Sequence, residues 1–318
     1  MITKTYFSNL LFNNAKYCRL FIITLFISLL GLVSGCSTFA TNAMADALAE
    51  SSDVYASDDD IDFVGEAIPF GLKTIESVLA KTPEHRGLLL AAARGFTQYA
   101  YVYVESPANE IEEIDIKVAY AERNRARRLY IRARDYGLRG LETRYENFSD
   151  KLKKNKDDII VTTTVEDVPL LYWTAVSWAA AISLSKDDPE LIGDLPLVES
   201  LIYRALELDE SYDYGVIHNF LISYEMSKMG AKKDLAVSAR QHFDRAVALS
   251  EGHQAAPYVT FAEVVSVSQQ NRKEYQAMLE HALQIEINAH PEWRLVNLVM
   301  QRRANLLLAR IENYFVEE

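Results

Sequence analysis

The stretch AIPFGLKTIESVLAKTPEHRGLLLAAARGFTQYAYVYVE, residues 67–105, decides how this chain folds. Gly71, Ile75 and Val78 are spaced i, i+4 and i+7, so they lie along one face of a helix. Small or slender residues flank a larger one, which lets a second helix approach closely while the larger side chain fills the gap opposite. Pro83 follows five residues on and turns the chain out of that helix. Leu89, Ala92, Ala93 and Phe96 then repeat the helical spacing. Two antiparallel helices joined by a short turn are expected here.

The same signature recurs along the chain. Ala126, Tyr130 and Ala133 carry it, as do Ala239, Phe243 and Ala246; Val198, Ile202 and Ala205 are a looser copy, and Tyr275, Leu279 and Ala282 another. After the last copy, Trp293 falls where the tetratricopeptide pattern places its tryptophan. The intervals are irregular. The expected fold is therefore all-α: a superhelix of about four degenerate tetratricopeptide-like antiparallel helix pairs, closed by a C-terminal helix over roughly 292–315 that opens at Pro291. Scarce Gly and Pro, 12 and 8 among 318 residues, agree with a helical chain. Two insertions break the rhythm. Residues 151–169 include the β-branched run IIVTTTV, read as a strand or a packed loop. Residues 185–196 form a polar connection with two prolines.

The N-terminal region has another character. An apolar run from Leu20 to Val33 follows Lys4, Lys16 and Arg19, with no acid before Cys36. It is short for a bilayer span of roughly 20 residues, and its layout is that of a secretory signal. Val33-Ser34-Gly35-Cys36 is similar to a bacterial lipobox, cut before the cysteine, whose thiol and new amino group are then acylated. An ordinary signal or an uncleaved helix are the competing readings; the position of Cys36 favours lipid attachment there, and two or more acyl chains suffice for stable anchoring. Residues 1–35 are thus read as a signal peptide, 36–62 as a lipidated acidic tether and 63–318 as one helical domain. Ser37 after the cysteine, rather than Asp, points to the outer membrane of a Gram-negative bacterium, facing the periplasm. The segment Asp58-Asp59-Asp60-Ile61-Asp62 lacks the glycine and glutamate of a calcium loop, with Phe63 and Pro69 in their places.

Loss of residues 1–35 removes three basic residues and moves the net charge from −12 to −15, which argues against nucleic acid as a partner. The six histidines show no HExxH or comparable metal spacing, and there is no Gly-rich phosphate loop and no GxSxG. No catalysis, metal or cofactor is expected. Residues 123–144 carry eight arginines. They read either as a partner surface, with Arg127, Arg128 and Arg132 as candidates, or as a solvated face paired with nearby acids. PLLYWTAVSWAAAISL, 169–184, is apolar all round, so Trp173 and Trp178 belong to core, to a ligand cavity or to a subunit interface. The repeat register places Arg94, Gln98, Trp178, Arg294 and Gln301 toward the concave surface; with Trp173 they are the candidate ligand-lining residues. Tyr99, Tyr101 and Tyr103 cannot all share one face, so some of them meet a groove or an interface.

PLLYWTAVSWAAAISLSKDDPELIGDLP (169–196), RARRLYIRARDYGLRGLE (125–142), HNFLISYE (218–225) and the segment 271–308, ending in QRRANLLL, together resemble the T-component family of tripartite ATP-independent periplasmic (TRAP) transporters. The resemblance covers about residues 60–315. It implies a lipoprotein of degenerate tetratricopeptide helix pairs, a homotrimer with a cavity through each subunit, and partnership with the periplasmic solute-binding P-component. Of site residues it carries over only Cys36. The expected role is a periplasm-facing accessory that docks the solute-binding protein and takes or hands over a small, partly apolar ligand. A general protein-interaction scaffold of the envelope is the rival, told apart by an open groove in place of an enclosed cavity.

Overall fold

The computed structural model describes residues 42–50, 52–228 and 232–316. Residues 1–35, read from sequence as a signal peptide, and Cys36 lie outside the described residues. Helices follow one another throughout, and no strand occurs among the described residues.

Helix α1 spans 42–50, and α2 is Ser52–Ala56. This differs from the tether expected over 36–62. The sequence MADALAE is rich in helix formers, and Ala45 is fully buried in a cluster with Leu72, Leu79, Leu88 and Leu89. Helix α3 runs from Ile61 to Leu79, and Asp60 caps it by accepting from the Asp62 and Phe63 N–H groups. The acidic run before it thus serves as a helix start. Helix α4, Arg86–Ala100, is capped by His85 and passes without a break into a π-helix, Tyr101–Glu105. Pro107 sits just beyond, in α5 (Ser106–Ile111). Proline offers no N–H to the turn before it, and the wider π turn absorbs that gap in the ladder.

Helix α6, Ile116–Glu142, is the spine of the N-terminal half. Ala119, Ala126, Ala133 and Gly140 recur every seven residues along its buried side. This seam of small residues lets α4 and α9 (Val168–Ser183) pack closely on it. Between them lie α7 (Phe148–Lys154), α8 (Lys156–Ile160) and a 3-10 turn, Val165–Asp167. The β-branched run 159–165 is therefore helix end and turn rather than strand. Ile159 and Ile160 reach the core, and Thr162 and Thr163 hydroxyls bond the carbonyls of Ile159 and Ile160. The chain continues through α10 (Pro189–Ile192), α11 (Leu195–Leu208), a 3-10 turn at Tyr212–Gly215, α12 (Val216–Ser227) and α13 (Lys232–Leu249). Then follow α14 (Ala256–Phe261), a second π-helix at Ala262–Ser266, α15 (Arg272–Gln284) and α16 (Arg294–Ala309).

The repeat signature reports packing faithfully. Ala126, Tyr130, Ala133, Val198, Ile202, Ala205, Ala239, Ala246, Tyr275, Leu279 and Ala282 are all essentially inaccessible, and Phe243 and Trp293 nearly so. The core forms three separate clusters strung along the helices rather than one mass. The array is also closed. Arg302 of α16 forks onto the Asp62 carboxylate at 2.9 and 3.2 Å, Arg294 donates to the Ser57 carbonyl at 2.8 Å, and Arg310 donates to the Glu110 carbonyl at 2.9 Å. The last helix is thereby tied to the first ones, about 200 or more positions earlier in sequence.

Candidate functional site

Arg94, Gln98 and Tyr101 occupy positions i, i+4 and i+7 of one continuous helix, and Glu105 follows one wide π turn later. Tyr101 and Glu105 on this face lie close enough to Arg303 for its charge to act on both. Tyr101 keeps 38% of its surface accessible, yet burial pushes its hydroxyl pKa well above normal, with Glu263 adding to the shift and Arg303 opposing it. Glu105 behaves alike: burial raises its carboxyl pKa, against the Tyr130 hydroxyl that donates to it at 2.5 Å and the charges of Arg123 and Arg303. The opposite wall comes from the second π-helix and α16. There Arg303 donates to Glu263 through Nε at 3.1 Å and Nη2 at 2.6 Å. Both π-helices thus supply carboxylates to one interior region. Such widened turns recur at functional sites because they re-aim side chains that a regular helix would bury or expose.

A second group of residues gathers at the 3-10 turn Tyr212–Gly215, within electrostatic reach of Arg94. Asp213 is exposed by accessible surface, yet burial raises its pKa, with the Arg94 guanidinium opposing. Burial, then Asp213, push the Tyr212 hydroxyl up to about 12, while Trp173 and Arg94 lower it. Tyr212 packs on Tyr172, ring centres 5.7 Å apart, and Tyr172 meets Trp173 edge-on at 5.0 Å. Tyr214, half exposed, stands edge-on to Trp293 at 4.7 Å.

The structure separates the sequence candidates. Arg94 and Trp173 come together around Asp213 and Tyr212. Gln98 is exposed on the same helix face as Arg94. Trp178 does not line the space: it is 1% exposed in the cluster of α6, α9 and α11, with the Arg134 guanidinium 5.2 Å over its ring. Gln301 donates to the carbonyls of Ala282 and Ile285 and so closes the C-terminal end of α15. Arg294 is the tie to Ser57 described above. These two were placed in a groove by register alone; both are occupied by carbonyls that helix or chain ends leave open.

The arginines of α6 are largely paired. Arg123 holds Glu112, Arg127 is 3.9 Å from Asp188, and Arg132 is 3.6 Å from Glu76 with its guanidinium over the Phe96 ring. Arg128 and Arg132 border a shallow open cleft of about 300 Å³ with Asp135, Tyr136 and Arg139. Sequence reasoning missed Asp213, Tyr212, Glu263 and Arg303. No local pattern marks them, although Ser211–Gly215, SYDYG, carries the Asp and Gly of a turn. Among the described residues no cluster of His, Cys, Asp or Glu could hold a metal ion, and no helix is long and apolar enough to cross a membrane.

With this geometry in place, the chain was compared with known proteins. The profile of the TRAP transporter T-component family matches residues 57–315. The chain belongs to that family. An uncharacterized protein of Treponema pallidum (strain Nichols) is 28% identical to it over 276 residues, which cover 85% of this chain and 84% of that protein. The T-component is a non-catalytic accessory of TRAP transport.

Proposed function

We propose that this T-component is a periplasm-facing lipoprotein, anchored through Cys36, that docks a periplasmic solute-binding protein and gives its solute an enclosed binding space. The observation that carries this reading is the family match from 57 to 315. The lipobox-like Val33-Ser34-Gly35-Cys36 supports the anchor. Phe63 and Phe70, 63% and 79% exposed and seven apart on α3, offer an apolar face for assembly of subunits, which the family resemblance sets at three.

The test is a pull-down of the mature protein from periplasmic extract, with mass spectrometry of proteins and small molecules. Recovery of a solute-binding protein is expected. Envelope assembly factors alone, with no solute-binding protein and no small molecule, would move the reading to a general scaffold. Cys36→Ala should release the protein from the membrane fraction; normal partition of that variant would sink the anchor.

A further inference from the structure

The shallow open cleft of about 300 Å³ along α6 is lined by Arg128, Ile131, Arg132, Asp135, Tyr136 and Arg139. Arg128, Arg132, Asp135 and Arg139 stand at i, i+4, i+7 and i+11, so they form one straight stripe on the helix. Three of the lining residues are arginines and one is acidic. That acid is already engaged: Asp135 accepts from Arg134 Nε at 2.9 Å and Nη2 at 2.8 Å. The cleft is therefore positive, on a chain whose net charge is −12.

The guanidiniums are held in place without being neutralised. Arg132 lies over the Phe96 ring at 5.2 Å, Phe96 stacks on Tyr136 at 5.9 Å with 11° between the planes, and Arg139 lies over Tyr136 at 5.3 Å. Both rings are fixed, since Phe96 is 3% exposed and the Tyr136 hydroxyl donates to Glu76 at 2.8 Å. A ring face steadies a guanidinium plane and leaves the N–H groups at its edge for an acceptor. The acid nearest Arg132, Glu76, is 3.6 Å away, too far for a hydrogen bond, and it already accepts from Tyr136 and from Lys73 at 2.5 Å. Arg139 uses one N–H on the Pro83 carbonyl at 3.1 Å. Arg128 is exposed and, among the described residues, has no hydrogen bond or ion pair. Arg123 of the same helix shows the alternative: it forks onto Glu112 within the chain.

We propose that this stripe is the docking surface for an acidic segment of the periplasmic solute-binding protein, whose carboxylates take the free guanidinium edges of Arg128, Arg132 and Arg139; this rests on the docking reading given above. Planar forks of donors match carboxylates. Because their guanidiniums are already stacked, Arg132 and Arg139 lose little further freedom on binding. An open cleft suits a protruding side chain, whereas a small solute is held in an enclosed one. Its lining is too polar for a bilayer or a permanent subunit contact, and the apolar face of α3 serves assembly. Charge-led contacts form fast, which suits an accessory that meets a soluble partner repeatedly.

The experiment measures the affinity of the detergent-solubilised full lipoprotein for the purified solute-binding protein that the parent captures. Arg128→Glu should weaken binding by at least about tenfold, with an unchanged melting temperature because Arg128 holds nothing inside the chain. Arg132→Lys keeps the charge but loses the planar fork, and should weaken binding too. Lys153→Glu, an exposed reversal outside the cleft, changes the net charge equally and should leave affinity as it was. Raising salt from about 0.05 to about 0.5 M should weaken the parent more than Arg128→Glu. Parental affinity in Arg128→Glu, or equal losses in Arg128→Glu and Lys153→Glu, would overturn the cleft and leave docking intact. A changed oligomeric state of Arg128→Glu in sedimentation would show that the stripe holds a second copy of the chain, and would overturn it as well. No solute-binding protein bound by the parent would overturn the docking reading and this proposal together.

Discussion

Gly137→Ala is a substitution for which helix propensity and tertiary structure predict opposite signs. Gly137 lies in the interior of α6, where replacing glycine by alanine should stabilise the helix by about 1 kcal/mol. The structure leaves no room for it. A Cβ at this position would lie 2.1 Å from Thr174 Oγ1, 3.1 Å from Thr174 Cβ and 3.3 Å from its Cα on α9. Thr174 is fully buried, and its hydroxyl donates to the Leu170 carbonyl at 2.5 Å, so it cannot swing aside without breaking that bond. Either the hydroxyl loses its partner or α6 and α9 separate by roughly an ångström. Overpacking of this kind costs about 1–3 kcal/mol. Set against the propensity gain, the net is a loss of up to about 2 kcal/mol, a fall of up to a few degrees in melting temperature for a domain of this size. The assay is paired thermal and urea unfolding of the mature protein and the variant. Adding Thr174→Ala should restore part of the loss, because it removes the 2.1 Å contact and leaves those at 3.1 and 3.3 Å. A Gly137→Ala protein as stable as the parent, or more so, would refute the reasoning. The same separation would shift Trp173, on the next residue of α9, and should weaken solute binding in parallel.

Other predictions follow from the packing. His218 and His242 face each other across α12 and α13 with Nδ1 atoms 2.9 Å apart, one donating and one accepting, and burial depresses both pKa values below 6.5. Glu210 opposes the shift on His218 and Glu225 that on His242, while Arg245 and Lys228 reinforce it. The unfolded chain therefore takes up protons first, and stability should fall as pH drops below about 6.5 toward the depressed values. His242→Gln should flatten that slope in urea melts between pH 7 and 5; an unchanged slope would remove the pair as its cause. Trp178→Ala should cost about 3–5 kcal/mol as a core cavity, whereas Trp178→Phe should be far milder, because the buried indole N–H has no partner to lose. Equal losses in the two variants would contradict that account.

How much was readable in advance depends on the range of the interaction. The i, i+4, i+7 triads such as Ala126, Tyr130 and Ala133 are legible because periodicity records which helix face excludes water; the later triads are buried, while Gly71 and Ile75 of the first keep part of their surface exposed. Arg94 and Gln98 lie opposite the buried face by the same geometry, which says that such a face meets water or an inner space without saying which. Gln301 and Trp178 were misplaced because register names a face without naming the neighbour that covers it. The fork of Arg302 on Asp62 joins positions 240 apart, and no local pattern encodes it. Composition read the α6 arginines as a charged surface, while acids from elsewhere in the chain, Glu76 and Asp188 among them, decided which were neutralised. The left-handed backbone at Asp213 and Tyr214 is flanked by long-range ring contacts, Tyr172 on Tyr212 and Trp293 on Tyr214, which no local pattern encodes. Helix class and repeat are thus properties of short-range spacing. Closure of the array, through ties such as Arg302 on Asp62, arises from packing between distant segments.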